Sequence, residues 1–179
     1  PLAASVPGTA WTEYADWQLP AHYGAPEAEY RAARENAALR DASHWSRLLF
    51  GGRDHLDFLH RMTTNHFRDL RSGRGLEAVF ADSRGRILEL GAFHRAGDAV
   101  LAVLSPGGRE RIPTWLDRYL FAEQIEMRDL AGETAMLELL GPHASGLVAR
   151  VLGCDLGALP EHGLAAGPAG GGLWVARVD

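Results

Sequence analysis

ADSRGRILELGAF, residues 81–93, is the stretch on which the fold turns. Asp82-Ser83-Arg84-Gly85 has turn chemistry, and a strand follows from Arg86 to His94. Side chains alternate along a strand, so Ile87, Glu89, Gly91 and Phe93 share one face. Leu88, Leu90 and Ala92 share the other, flanked by Arg86 and His94. Both faces are largely apolar, which predicts cover on both sides. A carboxylate, Glu89, then stands between Ile87 and Phe93. Charge among apolar groups is costly unless paired. Glu89 therefore has a ligand, a structural partner such as an arginine, or a face more exposed than the pattern implies.

Working outward, strands are expected near Leu76–Ala81 and Ala99–Leu104, with a turn at Gly97-Asp98 between the second and third strands of this meander. Pro106-Gly107-Gly108 closes it. Ile112, Trp115, Leu116, Tyr119 and Leu120 fall at helical spacing, with Pro113 tolerable only in the first turn. Upstream, residues 1–26 read as an irregular arm broken by Pro7, Pro20 and Pro26, which Trp11, Tyr14, Trp17 and Tyr23 could pin to a core. A helix is expected from Glu27 to about Arg40, with Tyr30, Ala33 and Ala37 on one side. Ser46–Phe50 reads as a strand ended by Gly51-Gly52, and Asp54 as the cap of a helix to Met62, which Thr63-Thr64-Asn65 ends. Downstream, strands are expected near Gln124–Arg128 and Thr134–Leu140. A helix starting at Pro142 carries the stripe Ala144, Leu147, Val148, Val151 and Leu152, with Gly153 as C-cap. GPAGGG, 167–172, reads as a flexible turn. LWVARVD then begins a strand at which the chain stops, so truncation at the C-terminal end is expected. The order of elements predicts an α+β domain over 27–179 with the arm 1–26 packed on it.

Composition narrows the function. The 179 residues are 46% hydrophobic and 23% charged, enough for one domain with a core. The net charge of −5 argues against nucleic acid as the main partner. No apolar run approaches a membrane span, and the first residues lack the order of a signal peptide, so a cytoplasmic location is expected. Cys154 is the sole cysteine, which excludes an internal disulfide and a cysteine-based zinc site. All 18 basic residues are arginine, which removes Schiff-base lysines and the Walker A motif.

Other constellations are weak. His55 and His60 are five apart and splay, no HExxH is present, and no metal site is expected. His143-Ala144-Ser145-Gly146 lacks the first glycine of a nucleophile elbow. SPGG, 105–108, precedes a helix and could hold an anion on free amides, or be an ordinary turn. Trp45 follows His44 just before a strand, where an aromatic could line a pocket for a flat ring or simply pack.

Several segments together resemble the folate-binding domain of the glycine-cleavage T-protein (aminomethyltransferase) and its YgfZ-like relatives. They are YADWQLPAHY (14–23), EYRAARENAALRDASHWSRLLFGG (29–52), FLHRMTTN (58–65), DSRGRILEL (82–90), LDRYLFAEQIEMRD (116–129) and LELLGPHA (137–144), in family order. The resemblance implies a fold of antiparallel strand meanders with packed helices, and a pocket for tetrahydrofolate or a derivative. It implies longer relatives, whose C-terminal domains are partners missing here.

Carried over residue by residue, it places the enzyme's catalytic aspartate at Glu89 and its apolar folate contact at Trp45, with Leu104 as a pocket wall. Asn65 is a further folate-binding candidate, followed by His66 where relatives often have Asp. The family's folate-facing tyrosine falls on Ala102 and its asparagine on Pro106. Those departures, with Glu89, favour a YgfZ-like folate protein serving iron–sulfur cluster maintenance. Cys154 does not sit in the Lys-Gly-Cys segment of that branch. The alternatives are a tetrahydrofolate-dependent one-carbon transferase (aminomethyltransferase or demethylase) and an assembly lobe that binds no folate.

Overall fold

A computed structural model of the chain describes residues 6–153, 155–167 and 172–178. Cys154 and residues 168–171 of the glycine-rich stretch lie outside them. The elements in order are β1 (Ala10–Tyr14), β2 (Trp17–His22), α1 (Pro26–Glu35), β3 (Ala38–Asp41), β4 (Ser46–Gly51), α2 (His55–Met62), β5 (Gly75–Ala81), β6 (Ile87–Ala96) and β7 (Ala99–Leu104). There follow α3 (Gly108–Leu116), β8 (Glu126–Asp129), β9 (Leu137–Leu140), α4 (Ala144–Leu152), β10 (Leu164–Ala166) and β11 (Trp174–Ala176). The fold is α+β, as expected.

The meander β5–β6–β7 forms the larger part of a five-stranded sheet in the order β5-β6-β7-β4-β8, every neighbour antiparallel. One face packs on helices. Phe58 and Leu59 of α2 and Ile112 and Leu116 of α3 join Leu48, Phe50, Phe80, Phe93, Ala102 and Leu104 of the strands in a single cluster. Phe93 meets Phe67 edge-on with centroids 5.1 Å apart and Phe80 at 5.7 Å. Such pairs add about 0.5–1.5 kcal/mol each beyond the area they bury. Three two-stranded ribbons, β1-β2, β3-β9 and β10-β11, surround the sheet. Among the described residues no helix is long and apolar enough to cross a membrane.

Four expectations change. Residues 10–22 are a hairpin, not an irregular arm. Its turn residues Ala15 and Asp16 have φ of 50° and 63° without a glycine, so the usual hairpin signal was missing. Pro20 is tolerated because a two-stranded ribbon has only edge strands. The first helix ends at Glu35, because Ala38–Asp41 pairs with Leu137–Leu140. Strand pairing across about 100 residues overrides a local helical composition. Tyr30, grouped with Ala33 and Ala37 on one side of that helix, is 69% exposed. The third helix starts at Gly108, which puts Pro113 inside it rather than in its first turn. Finally, β6 is not covered on both faces: Leu90 is 53% exposed.

Candidate functional site

The central sheet separates the residues singled out in the sequence. Glu89 and Leu104 lie on the helix-covered face with Gly91 and Phe93. Leu104 and Ala102 have no exposed surface and belong to the core, so neither meets a ligand in this arrangement. Glu89 is 5% exposed. Its Oε1 accepts from the Ser105 amide at 3.2 Å, and Oε2 accepts from Ser105 Oγ at 2.8 Å and from the Arg111 guanidinium.

Two puzzles of the sequence thereby answer one another. The SPGG loop offers an anion site ahead of α3, and Glu89 is the anion that fills it. Gly108 makes the approach possible, since a Cβ there would stand 3.1 Å from Oε2 and 2.8 Å from Leu104 Cβ. The Ser105 carbonyl in turn accepts from Ser46 Oγ at 2.8 Å, and Ser46 Oγ accepts from the Arg109 amide at 3.0 Å. The carboxylate also sits at the N-terminal, positive end of α3.

The opposite face is open along part of its length: Leu90 and Glu77 are exposed there, whereas Arg47, His94 and Leu101 on the same face are buried. Directly paired residues share a face, so Val79 and Leu90 stand side by side on it, as do Glu77, Ala92, Val103 and Arg47 in the next row. The ladder ends there: Ser105 turns its hydroxyl to Glu89 on the covered face, and Trp45 lies in the turn ahead of β4, its amide donating to the Ala42 carbonyl. At the other edge, the Thr64 amide donates to the Val79 carbonyl, and Asn65 Nδ2 donates to the Glu77 carbonyl at 2.7 Å. A row thus runs from Thr64 through Val79 to Leu90. With strands about 4.8 Å apart, it is about 10 Å long. Asn65 and Trp45 lie outside the ladder, and Glu89 and Leu104 lie on the covered face.

Trp45 is held by a residue that the sequence reading passed over. Arg47 is 4% exposed, with no carboxylate in its hydrogen-bond shell. Its Nε donates to Thr134 Oγ1, one terminal nitrogen to the carbonyls of Ser43 and Trp45, and the other to those of Ala131 and Thr134. All five guanidinium donors are used. The signal was visible as an arginine inside the buried strand SRLLF. Beside it, the His44 ring lies 6.3 Å from Trp45 and 5.9 Å, edge-on, from Tyr14. Burial, then the Arg40 charge, holds His44 below the usual histidine range.

The remaining histidines converge little. His60 and His66 have ring centroids 4.6 Å apart, and His66 pairs with Asp69 at 3.0 Å. Among the described residues no group of three or more His, Cys, Asp or Glu is arranged to hold a metal ion. A shallow groove along α1, lined by Ala25, Pro26, Glu27, Ala28 and Arg31, contains none of the candidate site residues.

Comparison with known proteins agrees with the fold. A family model described as "GCVT N-terminal domain" matches residues 4–168. An aminomethyltransferase of Geobacillus thermodenitrificans is 30% identical over 153 residues, covering 85% of this chain and 42% of its own length. One of Rubrobacter xylanophilus is 31% identical over 156 residues, covering 87% and 42%. The crystal structure of glycine cleavage system aminomethyltransferase T from Bartonella henselae superposes with a TM-score of 0.82 at 22% identity, over 91% of this chain and 45% of that one. The chain spans less than half the length of these relatives.

Proposed function

The chain belongs to the GCVT N-terminal domain family, and on that premise we propose that it is the tetrahydrofolate-holding lobe of a folate-dependent one-carbon transferase of the aminomethyltransferase kind. The observation that carries the reading is the family match over nearly the whole chain, together with relatives that bear the name aminomethyltransferase. The geometry supports it. A flat heterocycle can lie on the exposed Leu90 with Val79 and Ala92 beside it, and the half-buried Trp45 just ahead of β4 offers an aromatic ring. Asn65, bonded to the Glu77 carbonyl, retains one amide hydrogen and one lone pair for a ligand.

This ranks the transferase above the YgfZ-like, iron–sulfur reading. Two of the departures that favoured the latter, Glu89 and Ala102, lie on the covered face, so they say nothing about contacts to a ligand. The lobe's share of the work is to seat the folate and keep water from one side of it. Domains equivalent to the remaining length of the relatives would close the other side. The exposed Leu39 and Leu137 of the β3-β9 ribbon are surfaces such domains would cover.

Calorimetric titration with 5-formyltetrahydrofolate tests the proposal. Saturable binding is expected, weakened about tenfold by Trp45→Ala through loss of roughly 1–1.5 kcal/mol of ring packing. No binding, either by this chain or by one extended to the length of the relatives, would refute it.

A further inference from the structure

Away from the candidate site, the segment 159–166 lies as a strap against the β6 strand of the central sheet, and a titratable ring fastens it. His94 is 2% exposed, and its Nδ1 stands 2.8 Å from the His162 carbonyl. A carbonyl only accepts, so Nδ1 carries the proton and donates it. Nearby the Leu164 amide donates to the Gly73 carbonyl at 3.0 Å, and the Leu164 side chain is buried. We infer that His94 and His162 form a proton-operated clasp, which holds this strap on the sheet at neutral pH and releases it in mild acid. The inference stands apart from the folate reading.

The seat of the clasp requires close approach. Gly75 pairs directly with His94, and a Cβ there would collide with the His162 carbonyl and stand 2.9 Å from His94 Nδ1. His162 has φ of 56°, a left-handed conformation that a non-glycine residue adopts at a cost. Such strain persists only while the surrounding contacts hold it. The two rings lie 6.5 Å apart, and His162 Nδ1 is buried without a hydrogen-bond partner. Among the described residues, the side-chain hydrogen bond across the joint is the one from His94.

The surroundings favour the neutral ring. Glu161, the carboxylate on the strap, turns to His162 Nε2, 3.5 Å away. Arg177 of β11 donates to the Leu159 carbonyl, and Arg95 Nε donates to the Gly97 carbonyl. Arg74 stands just ahead of β5, and the residues paired with His94, Gly75 and Leu101, carry no charge. A proton on His94 is therefore a buried charge beside a second imidazole, with no anion bonded to it among the described residues. Burial holds His94 below the usual 6.5, outweighing the bond to the His162 carbonyl, and the His162 ring adds to the fall. Between that depressed value and 6.5 the opened strap takes up a proton and the closed one does not, so falling pH drives opening. If the closed ring stays neutral, the open fraction rises about tenfold at one pH unit below 6.5.

Hydrogen exchange resolved to single amides, at about pH 7.5 and about pH 5.5 and expressed as protection factors, tests the clasp. The Leu164 amide is expected to lose at least about threefold of its protection at the lower pH, toward the limit of about tenfold, while the β6–β7 ladder keeps its own. His94→Asn sets an amide nitrogen where Nδ1 stands and cannot titrate, so its Leu164 protection should be equal at the two pH values. A wild-type loss below about threefold would overturn the clasp. So would an equal loss in His94→Asn, or a parallel loss in the ladder, which is global unfolding. Should His94→Asn not fold, the His94 ring signal followed by NMR in the wild type decides instead. It should titrate over the pH range in which Leu164 loses protection, and titration in a separate range would overturn the assignment.

Discussion

Arg47→Met is the perturbation that most directly probes how the Trp45 corner is built. Methionine keeps an apolar stem of similar length and withdraws all five donors from Ser43, Trp45, Ala131 and Thr134. A buried carbonyl left without a partner costs about 1–3 kcal/mol. The bonds are part-buried, so water will reach some of the vacated acceptors. We take the equivalent of one to two fully orphaned carbonyls, about 3 kcal/mol. For a domain of this size 1 kcal/mol moves Tm by about 2–4 °C, so a fall of about 6–12 °C is expected. Arg47→Lys keeps the charge but has three donors, so it can restore at most three of the five bonds and should fall between the two. Thermal melts followed by circular dichroism at pH 7 measure both. The reasoning fails if Arg47→Met melts within about 2 °C of the wild type, or if lysine replaces arginine without loss.

Three further predictions follow from other parts of the fold. The Ala15-Asp16 turn holds two non-glycine residues at positive φ. The double replacement Ala15→Asn, Asp16→Gly should therefore stabilise the hairpin by about 0.5–1 kcal/mol and slow amide exchange across residues 10–22; unchanged exchange would contradict this. His94 is 2% exposed, with its Nδ1 2.8 Å from the His162 carbonyl, and burial holds its pKa below the usual histidine value of 6.5. The neutral ring is the form that fits, so its stabilisation is complete above pH 6.5 and is lost as pH falls toward the depressed folded value. Wild-type Tm should drop more steeply than that of His94→Gln between about pH 7.5 and 5.5, and parallel slopes would exclude the histidine as the cause. The Arg61 hydrogen bond, with backbone amides of residues 121–123, lowers Glu123 to about 2 from 4.5. Its contribution is present above pH 4.5 and disappears toward pH 2. Glu123→Gln should lower Tm at pH 6 and match the wild type near pH 2.5, and a constant offset between the two would refute that origin.

Much of this protein is local, and local patterns were enough for it. The turn at Asp82–Gly85, the period-two strands of the meander, the α2 segment with its phenylalanine and leucine face, and the glycine that ends α4 all follow from propensity and spacing within ten or so residues. The order of segments was enough to suggest the family. Where local preference and long-range pairing disagreed, the sequence misled. Ala38–Asp41 looks helical but is held by Leu137–Leu140. The hairpin at 10–22 lacks a turn glycine and was invisible by composition.

The functional site depends on something a linear reading does not contain: which face of a sheet is covered. Alternation told us that Glu89 and Leu90 oppose one another, and that remained true. It did not say which side the helices would take. The helices α2 and α3 bury the face of Phe80, Glu89, Gly91 and Phe93, so the carboxylate that drew attention became a partner for Ser105 and Arg111. On the other face Glu77 and Leu90 stayed exposed. The aggregate apolar area of Phe80, Phe93 and their neighbours decides that outcome, because burying three phenylalanine-sized groups outweighs the cost of one carboxylate that finds three donors. Sequence alone determined the strands of the meander and their periodicity, and suggested the family. The choice of face, the closure of the SPGG anion site by Glu89, and the pinning of Trp45 by Arg47 were settled only when residues far apart in the chain packed together.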